Sequence, residues 1–393
     1  MSNPLLDQDK LTPAAGRSLQ ILLLYDCIYP ESLGGVEHRN YHLARSLARR
    51  GHRVTLAGWC RPTSPLPGVQ VLPMRFPTPL YNRAGKRSAL TSLKFAAAAA
   101  SLKLAEYDVI ETASIPYVHL LPLALRCYLA KKPLIVTWIE YWGSYWRDYK
   151  GLTAPLFMGV EWGCAQLGTV NAISHLTAQR VQANRLSPDD VKVIPCGVSL
   201  EKIRAAIAPA TGPVPPLIYA GRLMREKRVE LLLEAVQLID SEEALLTIVG
   251  DGPDRQRLET LAQQLGIGHR VVFLGRLPDI DDVWRQLSQA RIAVQPSSRE
   301  GFGMFPLEAM AVGIPVIYCR STENAISGLV RHNREGVCCE AHPETLARTI
   351  QTLLNNSQEW TRLSQNARAR AQSYDWDSIA QQIEALFEQA VNQ

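Results

Sequence analysis

Two successive arrays of alternating strand and helix patterns constrain this chain more than any single residue does. Leu19–Tyr25 (LQILLLY) is a continuous apolar run, the kind that is buried on both faces of a parallel sheet. Beyond Gly34 and Gly35, the residues Val36, Leu43, Ala44, Leu47 and Ala48 recur at helical spacing, and Gly51 stops the helix. Val54–Ala57, Val69–Leu72, Asp108–Ile110, Leu134–Trp138, Thr169–Ile173 and Val191–Ile194 are further strand candidates. A Pro- and Ala-rich stretch without periodicity, Ala205–Pro216, then interrupts the pattern. The alternation restarts with a strand at Leu217–Tyr219, a helix over Val229–Ile239, a strand at Leu245–Val249 and a helix over Arg255–Leu265. Strands at Val271–Leu274, Ile292–Gln295 and Pro315–Tyr318 follow, with a helix over Leu307–Ala311 before the last of them, and the C-terminal part reads as helical. This order predicts an α/β protein of two Rossmann-like βαβ domains that bind ligand at the C-terminal edges of their strands. The expected boundaries are 1–200 for the first domain, 201–216 for a linker, 217–374 for the second domain and 375–393 for a final helix.

Composition narrows the class further. With 393 residues, 47% apolar and 20% charged, the chain has the profile of an ordinary globular protein able to bury more than one core. The polar stretch Met1 to Gly16 predicts no secretory signal, and no apolar run is long enough for a membrane span. Eight scattered cysteines without a metal-ligand spacing predict reduced thiols and a cytoplasmic protein. Charge is uneven: residues 1–198 hold 22 Lys and Arg against 13 Asp and Glu, whereas the remainder holds 20 against 24. A basic first half suits an anionic acceptor or a membrane surface as well as it suits plain solvation. No nucleic-acid-binding motif accompanies it, so no nucleic-acid partner is expected.

The most informative stretch is Ser297–Gly313 (SSREGFGMFPLEAMAVG), which follows an apolar strand. Gly301 and Gly303, flanking Phe302 and followed by Met304, let the backbone approach a bound group, and Pro306 suits a helical first turn. Glu308 is placed in that same turn, as a complement to the helix dipole or as an acceptor for a ribose diol. Glu300 lies in the loop, where a carboxylate orients a sugar hydroxyl or stabilises charge at an anomeric carbon. Arg222 and Lys227, after the strand Leu217–Tyr219, suit a diphosphate leaving group or form a solvated charged turn. Gly250, in the turn after the strand Leu245–Val249, and Gly34-Gly35, at a helix start, have the same double reading as ordinary turns or as backbone for a nucleoside and a phosphate.

In order and phrasing these elements resemble the glycogen-synthase-like retaining glycosyltransferases of family 4 with the GT-B fold, from the LLLYDCIYPESLGGVEHRNYHLARSLARRGHRVTL opening to SYDW near the end. The family's two glutamates separated by seven residues correspond to Glu300 and Glu308, its diphosphate-binding pair to Arg222 and Lys227, and its glycine loop to Gly34-Gly35. The resemblance implies two domains facing across a cleft and a last helix that crosses back to the first domain. It further implies transfer of a sugar from a nucleoside-diphosphate sugar with retention of configuration, and no metal or other cofactor. On this reading Glu300 and the backbone of Gly301 to Gly303 hold the donor sugar and Glu308 binds the ribose, while Gly250 and Leu277 offer backbone to the base. The alternative is a nucleotide-sugar-binding degenerate transferase or partner subunit without turnover of its own.

Two departures from the family bear on the unidentified acceptor, which is a glycan, a lipid-linked sugar or a small molecule. Where many relatives carry histidines, this chain has Glu111 in the segment after Asp108–Ile110, and Glu140 after Leu134–Trp138; nearby His119 is read as structural. Glu140 and Trp142, with Tyr141, Tyr145 and Trp146, offer an acceptor platform or simply a half-buried aromatic helix start. Arg83 to Lys103 combines basic residues with Leu, Phe and Ala, which suits peripheral contact at the inner face of an anionic membrane or an Ala-rich helix packed on its domain.

Overall fold

A computed structural model describes residues 17–29, 34–60, 66, 68–74, 88–187, 191–207, 216–240 and 245–393, and every count below refers to these. The chain divides into two compact units: the first comprises residues up to Ile173, Thr177–Pro195 and Trp376–Gln393, and the second comprises Ser174–Leu176 and Cys196–Asp375.

The first unit is built on seven parallel strands: β1 (Gln20–Cys27), β2 (Arg53–Trp59), β3 (Val69–Pro73), β4 (Val109–Ala113), β5 (Leu134–Trp138), β6 (Thr169–Ala172) and β7 (Lys192–Val193). They are ordered β3-β2-β1-β4-β5-β6-β7. The apolar run in β1 is divided between two cores by the two-residue period of a strand. Ile21 and Leu23 join α1 (Gly35–Arg49) and the last helix, whereas Leu22 and Leu24 join the layer on the other face. That other layer holds α2 (Ala89–Ala100), α3 (Leu120–Ala130), the short α4 (Trp146–Lys150) and α5 (Ala154–Ala165), followed along the chain by α6 (His175–Ala183). The terminal helix, Trp376–Val391, packs on α1 through Ile379, Ile383 and Phe387, as the resemblance implies. Glu384 fastens it there by pairing with Arg50 and accepting a hydrogen bond from His52 Nε2 at 2.8 Å. His52 Nδ1 accepts from the Leu19 N–H at 3.2 Å, so the proton of a neutral ring belongs on Nε2.

The second unit repeats the plan with six parallel strands: β8 (Leu217–Ala220), β9 (Leu246–Val249), β10 (Val271–Gly275), β11 (Ile292–Gln295), β12 (Val316–Cys319) and β13 (Gly336–Cys339), ordered β10-β9-β8-β11-β12-β13. The helices are α7 (Leu200–Ala206), α8 (Val229–Gln237), α9 (Arg255–Gln264), α10 (Ile280–Ser288), α11 (Met304–Val312), α12 (Ile326–Leu329), α13 (Pro343–Leu354) and α14 (Ser357–Ala371), with the Trp376–Val391 helix of the first unit as α15.

Several boundaries differ from the sequence expectation. Residues 201–206, read as linker, form most of α7, because Leu200 and Ile203 on one face are buried and the helix packs on α10 and α11. The second unit accordingly begins at Cys196 instead of 217. The Pro-rich part of the expected linker, 208–215, lies outside the described residues. Strand β13 has no counterpart in the sequence reading; its Cys338-Cys339 pair lies against Tyr318 and Cys319 of β12. All eight cysteines are free thiols, and no helix among the described residues is long and apolar enough to cross a membrane.

Candidate functional site

In the second sheet the strand order reverses between β8 and β11, so the connections leave these neighbours in opposite directions and open a crevice at their C-terminal edges. The segments that follow the two strands carry the charged candidates. Gly221 and Arg222 extend β8, and a single turn over Arg225–Lys227 ends in Arg228 at φ 50 before α8 begins. Ser297 to Gly303 extend β11.

These two segments are joined directly. The Ser298 N–H donates to Glu226 O at 2.9 Å, and the Ser298 hydroxyl to the same oxygen at 3.1 Å. Lys227 Nζ lies 2.6 Å from Glu300 Oε1, with both side chains largely buried. Gln295 Nε2 at 2.5 Å and Ser297 Oγ at 3.0 Å donate to the same oxygen, while Glu300 Oε2 takes no donor among the described residues. The Glu300 backbone is held from the far side: its N–H donates to Glu323 O at 3.3 Å, and its carbonyl accepts from Ala325 N at 2.9 Å. A carboxylate fixed by three donors on one oxygen and by its own backbone keeps the other oxygen aimed. Tyr219, buried beneath, has its phenol held well above its ordinary pKa by desolvation and by the charge of Glu300, and its hydroxyl donates to Arg222 O at 3.3 Å. The Arg222 side chain is exposed.

Helix α11 begins immediately after Gly301, Phe302 and Gly303. Gly303 is its N-cap at φ 108, a left-handed conformation that disfavours any side chain, and a Cβ there would also press to 3.1 Å from Ile326 Cγ1. Phe302 is buried, its ring centroid 6.2 Å from that of Tyr374, and Met304 opens the helix half-buried. Glu308 is the fifth helical residue, so it lies in the second turn and not the first as expected. Its value as a partner for the helix dipole therefore falls, since that field fades within the first turn. Some of the residue remains open to solvent, yet desolvation of the carboxyl pushes its pKa up to about 7. The indole N–H of Trp284 on α10 acts in the other direction, without forming a full hydrogen bond among the described residues.

Gly250 follows β9, the other neighbour of β8. At φ 130 it donates its N–H to Gly275 O at 2.8 Å, and a Cβ there would collide with Gly221 O. The glycine thus lets the β9 loop lie backbone to backbone against the β8 loop. Leu277, half-buried, follows β10 at the next edge. Asp279 caps α10 by accepting from Asp281 N at 3.3 Å, the capping role its sequence setting suggested.

In the first unit the order reverses between β1 and β4. Gly34 is the N-cap of α1, and a Cβ on it would collide with Glu37; Gly35 opens the helix with free space around it. Glu111 corrects the sequence reading. It lies inside β4, buried, with Arg39 Nη2 at 2.7 Å and Thr137 Oγ1 at 2.5 Å on its Oε1. The expected strand end at Ile110 fell short because Glu111 and Thr112 interrupt the apolar run while still pairing with β5 and β1. His119 is buried, with Nδ1 against Pro116 O and Nε2 2.8 Å from Thr112 Oγ1, which is the structural role expected of it.

Glu140 and Trp142 stand at the C-terminal end of β5, bonded to each other from Trp142 Nε1 to Glu140 Oε2 at 3.1 Å. Tyr141 and Trp146 are buried, whereas Trp142, Tyr145 and Tyr149 are half-buried and stack at edges and tilts. The residue that organises this turn is Glu161 on α5, fully buried. Its carboxylate accepts from Trp142 N at 2.8 Å, Gly143 N at 2.8 Å, Trp146 Nε1 at 3.1 Å and Tyr117 Oη at 2.6 Å. Sequence reasoning missed Glu161, and it missed Gln295 and Ser297 beside Glu300. The signal available for Gln295 was an amide ending an otherwise apolar strand.

Comparison with known proteins places these features in a family. The family described as Glycosyl transferases group 1 matches residues 204–370, and Glycosyltransferase Family 4 matches residues 33–202. An uncharacterised glycosyltransferase of Methanocaldococcus jannaschii is 31% identical over 178 residues, which is 44% of this chain and 45% of that protein. The N-acetyl-alpha-D-glucosaminyl L-malate synthase of Bacillus anthracis is 28% identical over 377 residues, 91% of this chain and 94% of that protein. The chain spans about half the length of several other curated relatives it matches. Among solved structures, HepE of Anabaena in complex with UDP and glucose superposes with a TM-score of 0.71 at 20% identity, covering 94% of this chain and all of that one.

Proposed function

Because the chain belongs to the group 1 glycosyltransferases and has the GT-B fold, we propose that it transfers a sugar from a nucleoside-diphosphate sugar to an acceptor hydroxyl, with retention and without a metal. The observation that carries this reading is the pairing of Lys227 with Glu300 at the switch point between β8 and β11. It places a cation suited to a diphosphate beside a carboxylate suited to a sugar, within a frame held by buried hydrogen bonds. The complex of HepE with UDP and glucose, on the same fold, supports the choice of donor.

In the proposed reaction the bond from the anomeric carbon to the diphosphate oxygen breaks, and its electron pair leaves with the diphosphate. Lys227 and Arg222 stabilise that growing negative charge, the service a divalent cation would otherwise give. The acceptor oxygen forms the new bond on the face the diphosphate leaves, and its proton passes to the departing phosphate oxygen. Glu300 holds the sugar hydroxyls through its open oxygen, Gly301 to Gly303 offer backbone N–H groups, and Glu308 takes the ribose diol. Gly250 and Leu277 lie along the edge where a base would extend. Gly34 and Gly35 offer a Cβ-free helix start to phosphate in the first unit. The half-buried rings of Trp142, Tyr145 and Tyr149, beside Glu140, form a sugar-stacking surface for the acceptor. Glu111, neutralised by Arg39, takes no part.

A thermal-shift series with UDP, GDP, ADP and their sugar conjugates tests the donor, since a ligand of the native state raises the midpoint by mass action. A shift with one nucleotide family that persists in chelator, and release of that nucleotide when acceptor is added, is expected. Folded protein that responds to none of them refutes the proposal. A shift without turnover for any acceptor leaves only the nucleotide-binding part standing.

A further inference from the structure

Helix α3 has two apolar faces. Leu120, Leu123 and Cys127 are buried in the core under the first sheet. Leu121, Leu125, Tyr128 and Leu129, spaced i, i+4, i+7 and i+8, are between 53% and 81% exposed on the opposite side. Such spacing places all four on one stripe. Helix α2 packs alongside and adds Leu90 and Leu93 at 62% and 56%. The inner sides of α2 and α3 share one core cluster with Leu22 and Leu24 of β1, so both helices cover the same sheet face and their outer sides face away from it together. Among the described residues, helices α1 and α15 on the other face expose no large apolar residue, and the second unit exposes three.

The charged residues in the described stretches that carry these helices are all basic: Lys94 and Lys103 in 88–105, and Arg126, Lys131 and Lys132 in 112–139. Arg126 is occupied in tying α3 to the end of α2, with its Nη2 2.9 Å from Leu102 O. Lys94, Lys103 and Lys131 are exposed, and Lys131 sits at the left-handed C-cap of α3, directly beyond Tyr128 and Leu129.

We infer that the outer face of α2 and α3 docks the protein on an anionic phospholipid surface, with the leucines sunk to the acyl boundary and the lysines at the headgroup phosphates. An apolar stripe rimmed by cations is what such a surface binds. A second copy of the chain is the poorer occupant, because a two-fold contact would bring the two basic rims together. The sequence placed membrane contact in 83–103; residues 83–87 lie outside the described ones, and α3 supplies the larger part of the apolar face. This inference stands apart from the transferase reading and does not depend on it.

Co-sedimentation of the full chain with phosphatidylcholine vesicles, with and without phosphatidylglycerol, tests it. Binding is expected only with phosphatidylglycerol and is weakened by salt. Leu125→Glu with Leu129→Glu is expected to lower it by roughly tenfold or more, and Lys131→Gln with Lys132→Gln by about fivefold for each lysine. All four side chains lie outside the core, so the thermal midpoint of both variants stays near that of the parent, and the lysine pair still decides if the leucine pair fails to fold. Absence of binding to phosphatidylglycerol vesicles at low salt overturns the inference, as does equal binding by the folded variants. Light scattering that shows a dimer broken by Leu125→Glu, without vesicle binding, assigns the face to a second copy.

Discussion

Lys227 Nζ and Glu300 Oε1 lie 2.6 Å apart although 73 residues separate them in the chain. The cation and the carboxylate proposed here for a donor's diphosphate and sugar are therefore each other's counter-ion, and on that reading a diphosphate that engages Lys227 draws it from Glu300. Lys227→Ala and Arg222→Ala are each expected to weaken nucleoside-diphosphate binding by roughly 10- to 100-fold, from about 1.5–3 kcal/mol per charge-assisted hydrogen bond. Glu300→Gln is expected to lower turnover by roughly 100-fold or more while leaving nucleotide affinity equal or higher. Isothermal titration and initial rates check both, and unchanged affinity in the two cation variants would falsify the diphosphate assignment.

Glu308 gives a pH signature. Its folded pKa near 7 lies above the ordinary 4.5, so the folded protein binds the extra proton between those values. Stability from this group is thus present in full below about pH 4.5 and is lost as pH rises through 7. Glu308→Gln is expected to flatten that part of the stability profile and to gain stability relative to the parent at pH 8, by on the order of 1–2 kcal/mol. If Glu308 takes a ribose diol as proposed, the diol donates to the ionised carboxylate, and nucleotide affinity in the parent is expected to rise from pH 6 to 8. A parent and a Glu308→Gln variant with parallel pH profiles for both quantities would show the carboxylate to be a bystander.

Glu161 carries the aromatic turn. Removing its carboxylate in Glu161→Ala strands four donors in the interior and is expected to cost about 3–5 kcal/mol, at 1–3 kcal/mol for each buried donor left unmet, discounted for relaxation. Glu161→Gln, which keeps one acceptor oxygen, should cost less. Urea unfolding followed by intrinsic tryptophan fluorescence reads the loss. An alanine variant as stable as the parent would mean that the turn is held by ring packing alone.

Gly250→Ala tests the backbone contact between the β8 and β9 loops. The new Cβ meets the Gly221 carbonyl, which cannot swing aside as a side chain would, at a φ of 130 that alanine resists. An expected loss of about 2–4 kcal/mol in denaturant unfolding, together with weaker nucleotide binding, follows. Gly35→Ala, where nothing lies within 4 Å of the added carbon, serves as the tolerated counterpart in the first unit for stability.

The sequence by itself determined the two parallel-sheet units, because a buried parallel strand has to be apolar on both faces and a covering helix on one. Leu22 and Ile21 belong to different cores for that reason alone. It also determined the residue types that follow the strands, Arg222, Lys227, Glu300 and Gly303, but left open their double reading as ligand-binding or ordinary loop residues. Only the tertiary structure decided how they combine. The Lys227–Glu300 pair needs β8 beside β11, a neighbour relation that no local pattern encodes. Glu111 looked like an edge residue until Arg39, 72 residues away, supplied the charge that lets a carboxylate sit inside a strand. Glu161 drew no notice in the sequence because its four donors come from two other segments. The apolar stripe on α3 was invisible for a different reason. Leucine on every side of a helix reads as burial from sequence, and only the fold, by covering one side and not the other, shows which leucines remain to meet a partner.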